Sequence, residues 1–333
     1  MASSSSTTDL PFKMHVTPDN TGLWHIKQTG EAAEKVTELL EKDMEPSTAP
    51  PPPPPLSTSP TQPTPTINAP SCLSTRDHLT FHPWPAAAQP YFGKEEVGVM
   101  ELLEEIKGNE KLARAARNED GNKVRDGVLA RAKEEMIALA ARVRVRPEEV
   151  EERTAEMFNA AVFVAAAAAL VKEGERENKF DFFLMHHVNS SPIFVTINAL
   201  DWIPAETKAR LLEWKIRMDL LQFVARGVPE LSLEKLKVYK PRKPDAGGSL
   251  AEIVSRLHTL PDDGHAIKLG RAAVICHNIC KRYEEEGKPW LRVQGEDMWK
   301  KICHLIVDSV EAPGAHWVRS AGFDEAWKDV PKV

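Results

Sequence analysis

The chain is short of cysteine, has no glycine-rich phosphate loop, no long apolar run and no strong excess of either charge. Each shortage removes a class of protein. Only four cysteines, Cys72, Cys276, Cys280 and Cys303, occur in 333 residues. None has zinc-ribbon spacing, and Cys276 and Cys280 lie one helical turn apart, so they read as reduced core thiols rather than a disulfide or a metal pair. There is no GxGxxG, Walker loop, HExxH or GxSxG, which leaves a nucleotide-binding Rossmann module and the standard hydrolase motifs unsupported. A formal net charge of -6 argues against nucleic acid or an anionic membrane as the main partner. The longest apolar run, Ala160–Val171, is too short for a span of about 20 residues. The opening residues hold no apolar stretch that would serve as a signal peptide. The expectation is a soluble cytoplasmic protein.

Proline is plentiful but concentrated. Met44–Pro70 holds 11 of the 26 prolines, a density that forbids helix and central strand and predicts an extended, solvated segment. It reads as a passive linker or as a ligand for a partner domain. The expected organisation is an N-terminal arm with a short amphipathic helix over 1–43, a disordered proline-rich linker over 44–76, and a helical domain over 77–333.

From about Glu95 onward the apolar residues recur at helical spacing. Val97, Met100, Leu103 and Ile106 mark one helix, ended by Gly108-Asn109. Val124, Val128, Ala132, Met136 and Leu139 predict a second. Pro147 opens a third at a first-turn position with acids close behind, and its second half is apolar all round, which predicts a buried central helix. Further helices are predicted over 205–227, closed by Gly227, over 262–287 with Asp262 or Asp263 as cap, and over 295–311. No stretch alternates with period two. The fold class expected is all-α, an irregular multi-helix bundle.

The residues that could carry chemistry are few. In "KFDFFLMHHVNSSPIF" neighbouring imidazoles point about 100° apart on a helix. Phe182, His186 and Asn189 share one face, and Phe183, His187 and Ser190 the next. Pro192 ends or kinks this helix. His186 is read either as a buried histidine bonded to a carbonyl or carboxylate, or as a metal or substrate ligand. In "GHAIKLGRAAVICHNIC", Lys268 shares a stripe with Ala272, Ile275 and Ile279, and His265 lies nearby. If buried, Lys268 would favour its neutral amine, able to act as base, nucleophile or carbamate-forming group. If it snorkels, the ammonium is in water. His78 and His82 have i, i+4 spacing, but the surrounding prolines argue against helix there.

Taken together, "VTPDNTGLWHIKQTGEAAEKVTELLEKD", "YFGKEEVGVMELLEEI", "TAEMFNAAVF", "KFDFFLMHHVNSSPIF" and "ETKARLLEWKIRMDLLQFVARGVPEL" resemble the fungal questin oxidases, over Val16–Asp43 and roughly Pro90–Val333. These are oxidoreductases of polyketide pathways, including Baeyer–Villiger-like enzymes that open anthraquinone rings. The resemblance implies an all-helical fold, use of dioxygen, NADPH as reductant in several members, and a non-heme iron held by histidines and a lysine. It places His186 and Lys268 as metal ligands, His265 and Lys268 as catalytic, and Asn189 and Ser190 against a small aromatic polyketide. His187 falls where the family pattern expects an apolar or small residue. The family's histidine-rich half is replaced here by the proline tract. That substitution suggests an incomplete metal site, exposed apolar surface and self-association, and keeps open a catalytically impaired member or a non-catalytic binding protein.

Overall fold

The computed structural model describes residues 97–333. The arm over 1–43, the proline-rich segment over 44–76 and, with them, His25, Cys72, His78 and His82 lie outside the described residues.

The described chain begins with α1 (Val99–Gly108), whose Val99, Leu102, Leu103 and Ile106 are buried. Its first amide is held from within the core: Val99 N donates to the buried Glu156 Oε1 at 2.7 Å. Asn109 ends α1 and caps the short α2 (Glu110–Ala113), its side chain accepting from Lys111 N and Leu112 N. The continuous helix expected across 122–143 is instead broken. A π-helical turn (Lys123–Val128) leads into α3 (Leu129–Arg131), and Ala132 leaves helical geometry before α4 (Lys133–Ala141). The cause is local. Arg131 is drawn to Asp120 by paired 2.7 Å bonds, and Gly127 lets the turn close on Ala116 and Asp120, where a Cβ would meet Asp120 Oδ2 at 2.9 Å.

The predicted central helix is α5 (Val150–Ala169), entered through a 3-10 turn that opens at Pro147. All but three of its 20 residues are buried. Its run of alanines lets neighbouring backbones approach closely. The buried Asn159 fixes the loop before the last long helix: Nδ2 donates to Val293 O at 2.8 Å, and Oδ1 accepts from Arg292 N and Val293 N.

Next come β1 (Phe180–Asp181), α6 (Phe182–Ser190) and α7 (Pro192–Asn198). Pro192 sits at the first position of α7, where its missing amide costs nothing, so the chain kinks at Ser191 rather than ending there. The long α8 (Ala205–Ala225) follows, then α9 (Leu233–Val238), α10 (Leu250–Ser255), α11 (His265–Glu285) and α12 (Glu296–Glu311). Gly227, at φ 82°, closes α8 as the sequence predicts. At Gly227 the backbone also meets Gly322: the Gly322 amide donates to Arg226 O at 2.9 Å, and a Cβ on Gly322 would lie 2.2 Å from the Gly227 carbonyl oxygen. Only glycine permits that approach.

α5 is the hub, touching α6, α7, α8 and α11, while α10 and α11 pack on α12. The architecture is all-α, as expected. Among the described residues, the departures are an isolated bridge and a two-residue parallel pairing of β1 with β2 (Trp317–Val318), in register Phe180↔Trp317. That pairing positions the site. Asp181 caps α6 through Oδ1, which accepts from Phe183 N and Leu184 N. Its Oδ2 accepts from Ala321 N at 2.7 Å, so one buried carboxylate ties the start of α6 to the segment carrying Trp317 and Arg319. Among the described residues, no helix is long and apolar enough to cross a membrane.

Candidate active site

α6 and the first turn of α11 bring two of the predicted residues together. The rings of His186 and His265 have centroids 4.9 Å apart, edge to face. Phe182 completes a three-ring cluster, 4.5 Å from His186 and 5.3 Å from His265. Trp317 stands 6.5 Å from His265, and the Arg319 guanidinium lies over Phe182 at 5.0 Å.

The tautomers follow from the partners. His186 Nδ1 meets the Phe182 carbonyl, and His265 Nδ1 meets the Asp263 carboxylate. Both partners only accept, so each Nδ1 carries the proton and each Nε2 keeps its lone pair when the ring is neutral. Burial lowers the pKa of His186, the carbonyl bond works against this, and the charges of His265, His187 and Lys268 lower it further. His186 is therefore biased towards the neutral, electron-pair-bearing form.

Asn189 belongs to the same cluster. Its Nδ2 donates to Met185 Sδ at 3.2 Å and reaches the His265 carbonyl at 3.5 Å. Its Oδ1 is buried and has no partner among the described residues. Ser190 is not part of the cluster in the same way, because its hydroxyl donates back to His187 O at 3.1 Å. Of the two readings of Lys268, the solvent-facing one is seen. It is exposed, at the solvent end of a stripe in which Ala272 is buried and Ile275 and Ile279 are half-buried. The reason is its place in the first turn of α11, just beyond Gly264, where the stripe leaves the core.

Sequence reasoning set His187 aside, yet it is buried and is central to a charged group. Its Nδ1 bonds Asp219 Oδ1, and Lys215 Nζ donates to both Asp219 oxygens at 2.6 and 2.7 Å. His187 and Asp219 sit on the wall of a small, otherwise apolar crevice with Leu103, Met157, Ala161 and Phe223. The available signal was the Lys215/Asp219 pair at i, i+4 within the apolar face of α8 formed by Leu212, Ile216 and Leu220.

Of the donors that the resemblance implies for iron, the described residues bring together two imidazoles, His186 and His265. Among the described residues no three His, Cys, Asp or Glu side chains converge on a point where they could hold a metal ion. The described residues thus do not make up an iron centre by themselves.

A family model described as questin oxidase-like matches residues 58–273. This chain belongs to the questin oxidase-like family. It is 38% identical over 236 residues to the Baeyer–Villiger monooxygenase dmxR6 of Cryptosporiopsis sp., covering 69% of this chain and 52% of the relative. It is 34% identical over 240 residues to the questin oxidase of Aspergillus fumigatus, covering 71% and 53%. The Baeyer–Villiger oxidase mdpL of Emericella nidulans is 35% identical over 244 residues, covering 71% and 54%. The chain spans about half the length of the curated relatives it matches.

Burial lowers the pKa of His277 and His304 as well as that of His186. As the pH falls through 6.5, the ordinary value, the unfolded chain takes up protons that the folded chain still refuses. Stability therefore drops on acidification below 6.5, and the loss is complete once the lowered folded values are passed. The urea midpoint is expected to be lower at pH 5.5 than at pH 7.5. An unchanged or higher midpoint at pH 5.5 would contradict this reading of the three histidines.

Proposed function

We propose that this member of the questin oxidase-like family is an oxidoreductase that inserts one atom of dioxygen beside a ring carbonyl of an anthraquinone-like aromatic polyketide, in a Baeyer–Villiger ring opening. NADPH is the reductant. The carbonyl substrate, dioxygen, NADPH and a proton give the ring-expanded ester, NADP and water, and addition of one water across that ester opens the ring to a carboxylic acid and a phenol. The observation that carries the reading is the facing pair of His186 and His265 beside Phe182, in a chain of this family. Two imidazoles with free Nε2 atoms can accept protons from a phenolic substrate or hold it by hydrogen bonds. Phe182 and Trp317 offer ring surface to a flat molecule. The unpartnered Oδ1 of Asn189 is an acceptor for a phenolic hydroxyl. With the Ser190 hydroxyl held by its own helix, Asn189 carries the substrate contact. The cytoplasm is the compartment, and self-association the assembly, that accompany this reading.

The test is direct. The full chain is supplied with questin, NADPH and air, and oxygen uptake is followed together with the mass of the product. Uptake that depends on both substrate and NADPH, with a product heavier by one oxygen atom plus one water, is the expected result. Uptake that does not respond to questin, with no oxygenated product, overturns it.

Two observations favour a second reading, a family member that has lost catalysis: Lys268 is exposed, and among the described residues no third metal-ligating side chain joins His186 and His265. Metal analysis of the purified chain separates the two. Iron near one atom per chain supports the enzyme, whereas iron far below that, with no turnover, supports the non-catalytic member.

A further inference from the structure

A second cleft, of about 330 Å³, shares no lining residue with the imidazole cluster. It lies between the 173–178 connection, the end of α9, the end of α12 and Val333. Its floor is Asp308, which is 3% exposed. One oxygen of this carboxylate is satisfied: Oδ2 accepts from Tyr239 Oη at 2.6 Å and from Arg242 N at 2.9 Å. The other, Oδ1, is buried with no hydrogen-bond partner among the described residues. Both donors to Oδ2 are neutral groups, since burial and the bond to Asp308 push the Tyr239 pKa up.

Both arginines of the cleft, and Lys179 behind it, are spent elsewhere. The Arg242 guanidinium pairs with Glu177. Arg176 donates to the carbonyls of Lys328 and Val330. Lys179, just behind the wall, donates to Ser309 O at 2.7 Å and Ala312 O at 2.9 Å. Lys240 is exposed at the rim. His304, one turn before Asp308 on α12, has its pKa lowered by burial despite the Asp308 charge. A second acceptor, Asn178 Oδ1, is also buried and unpartnered among the described residues. Glu173 adds a carboxylate for which no ion pair is seen among the described residues; burial raises its pKa, against the opposing charge of Lys235, which itself pairs with Glu230.

A buried carboxylate without a counter-charge in contact is costly, and a ligand that supplies both charge and N–H donors removes that cost. We propose that this cleft is a binding site for a small organic ammonium, a linear diamine in particular, with one ammonium on Asp308 Oδ1 and Asn178 Oδ1 and the other towards Glu173. Three free acceptors and two carboxylates call for a donor-rich cation. The floor offers nothing to an anion.

The test is calorimetric titration of the full chain with putrescine and, separately, with its neutral diol analogue. Putrescine is expected to bind about tenfold or more tightly than the diol, the difference one charge-assisted contact makes. Asp308→Asn should abolish the preference. Because that variant also disturbs Tyr239, Glu173→Gln at the rim is the second variant, expected to weaken putrescine with an unchanged melting temperature. Equal binding of diol and putrescine, no heat from putrescine at millimolar concentration, or parent-like binding in both variants overturns the site. Calcium chloride that binds where putrescine does not overturns the ammonium assignment as well.

Discussion

Asp219→Asn is expected to cost about 3–5 kcal/mol of folding stability, the range for removing one partner of a buried ion pair. The side chains of Lys215, Asp219 and His187 are only 6%, 14% and 9% exposed, so water does little to replace what is lost. Asparagine keeps one acceptor oxygen for the Lys215 ammonium or the His187 imidazole but carries no charge. The lysine then stays in a low-dielectric site without the carboxylate that holds it by two bonds. At about 2–4 °C per kcal/mol for a domain of this size, the melting temperature should fall by roughly 6–20 °C. The companion double variant, Lys215→Met with Asp219→Leu, removes the charges together and should recover most of the loss, since apolar replacements of a buried pair are often neutral or stabilising. Urea denaturation of the three proteins decides the matter. A loss below about 1 kcal/mol for Asp219→Asn would mean that the group is solvated and contributes as surface pairs do.

His186→Ala is expected to lower oxygen uptake with questin and NADPH by about 10²-fold or more, the scale of removing a positioned proton acceptor. The substitution deletes the ring that meets both Phe182 and His265, but α6 keeps its Asp181 cap, so the circular dichroism spectrum should be unchanged. His265→Ala should cost a similar factor. The double variant should be little worse than either single one, because groups that act as a unit are not additive. Independent, multiplying losses would separate the two imidazoles and remove the pair as the functional element. Full activity in His186→Ala would end the assignment of this cluster.

Much of the fold is legible in the sequence because it rests on local signals. The proline at 147, the alanine-rich run of α5, the glycine after α8 and the apolar stripe of α12 are each enough to place an element. The broken stretch at 123–132 is not legible, because its cause is a contact between Arg131 and Asp120 that overrides a sound helical period. The site is legible in part. His186 and His265 are 79 residues apart in sequence, and motif resemblance, not spacing, points to both. Their meeting depends on α6 being aimed by Asp181 and on the start of α11, which no local pattern encodes. Lys268 is a position where sequence leaves two outcomes open, because an apolar stripe does not say where it leaves the core; here its first-turn end is at the surface. His187 is passed over because its partner lies on another helix, 32 residues away.

The final residues are knitted into the body. Glu177 N donates to Pro331 O at 2.9 Å, Val333 N donates to Glu175 O at 3.3 Å, and Trp327 is fully enclosed. For anyone preparing the protein this has a practical bearing. An affinity tag fused past Val333 would emerge at the mouth of the Asp308 cleft and, if made of histidines, would offer its own imidazolium groups to the carboxylates there.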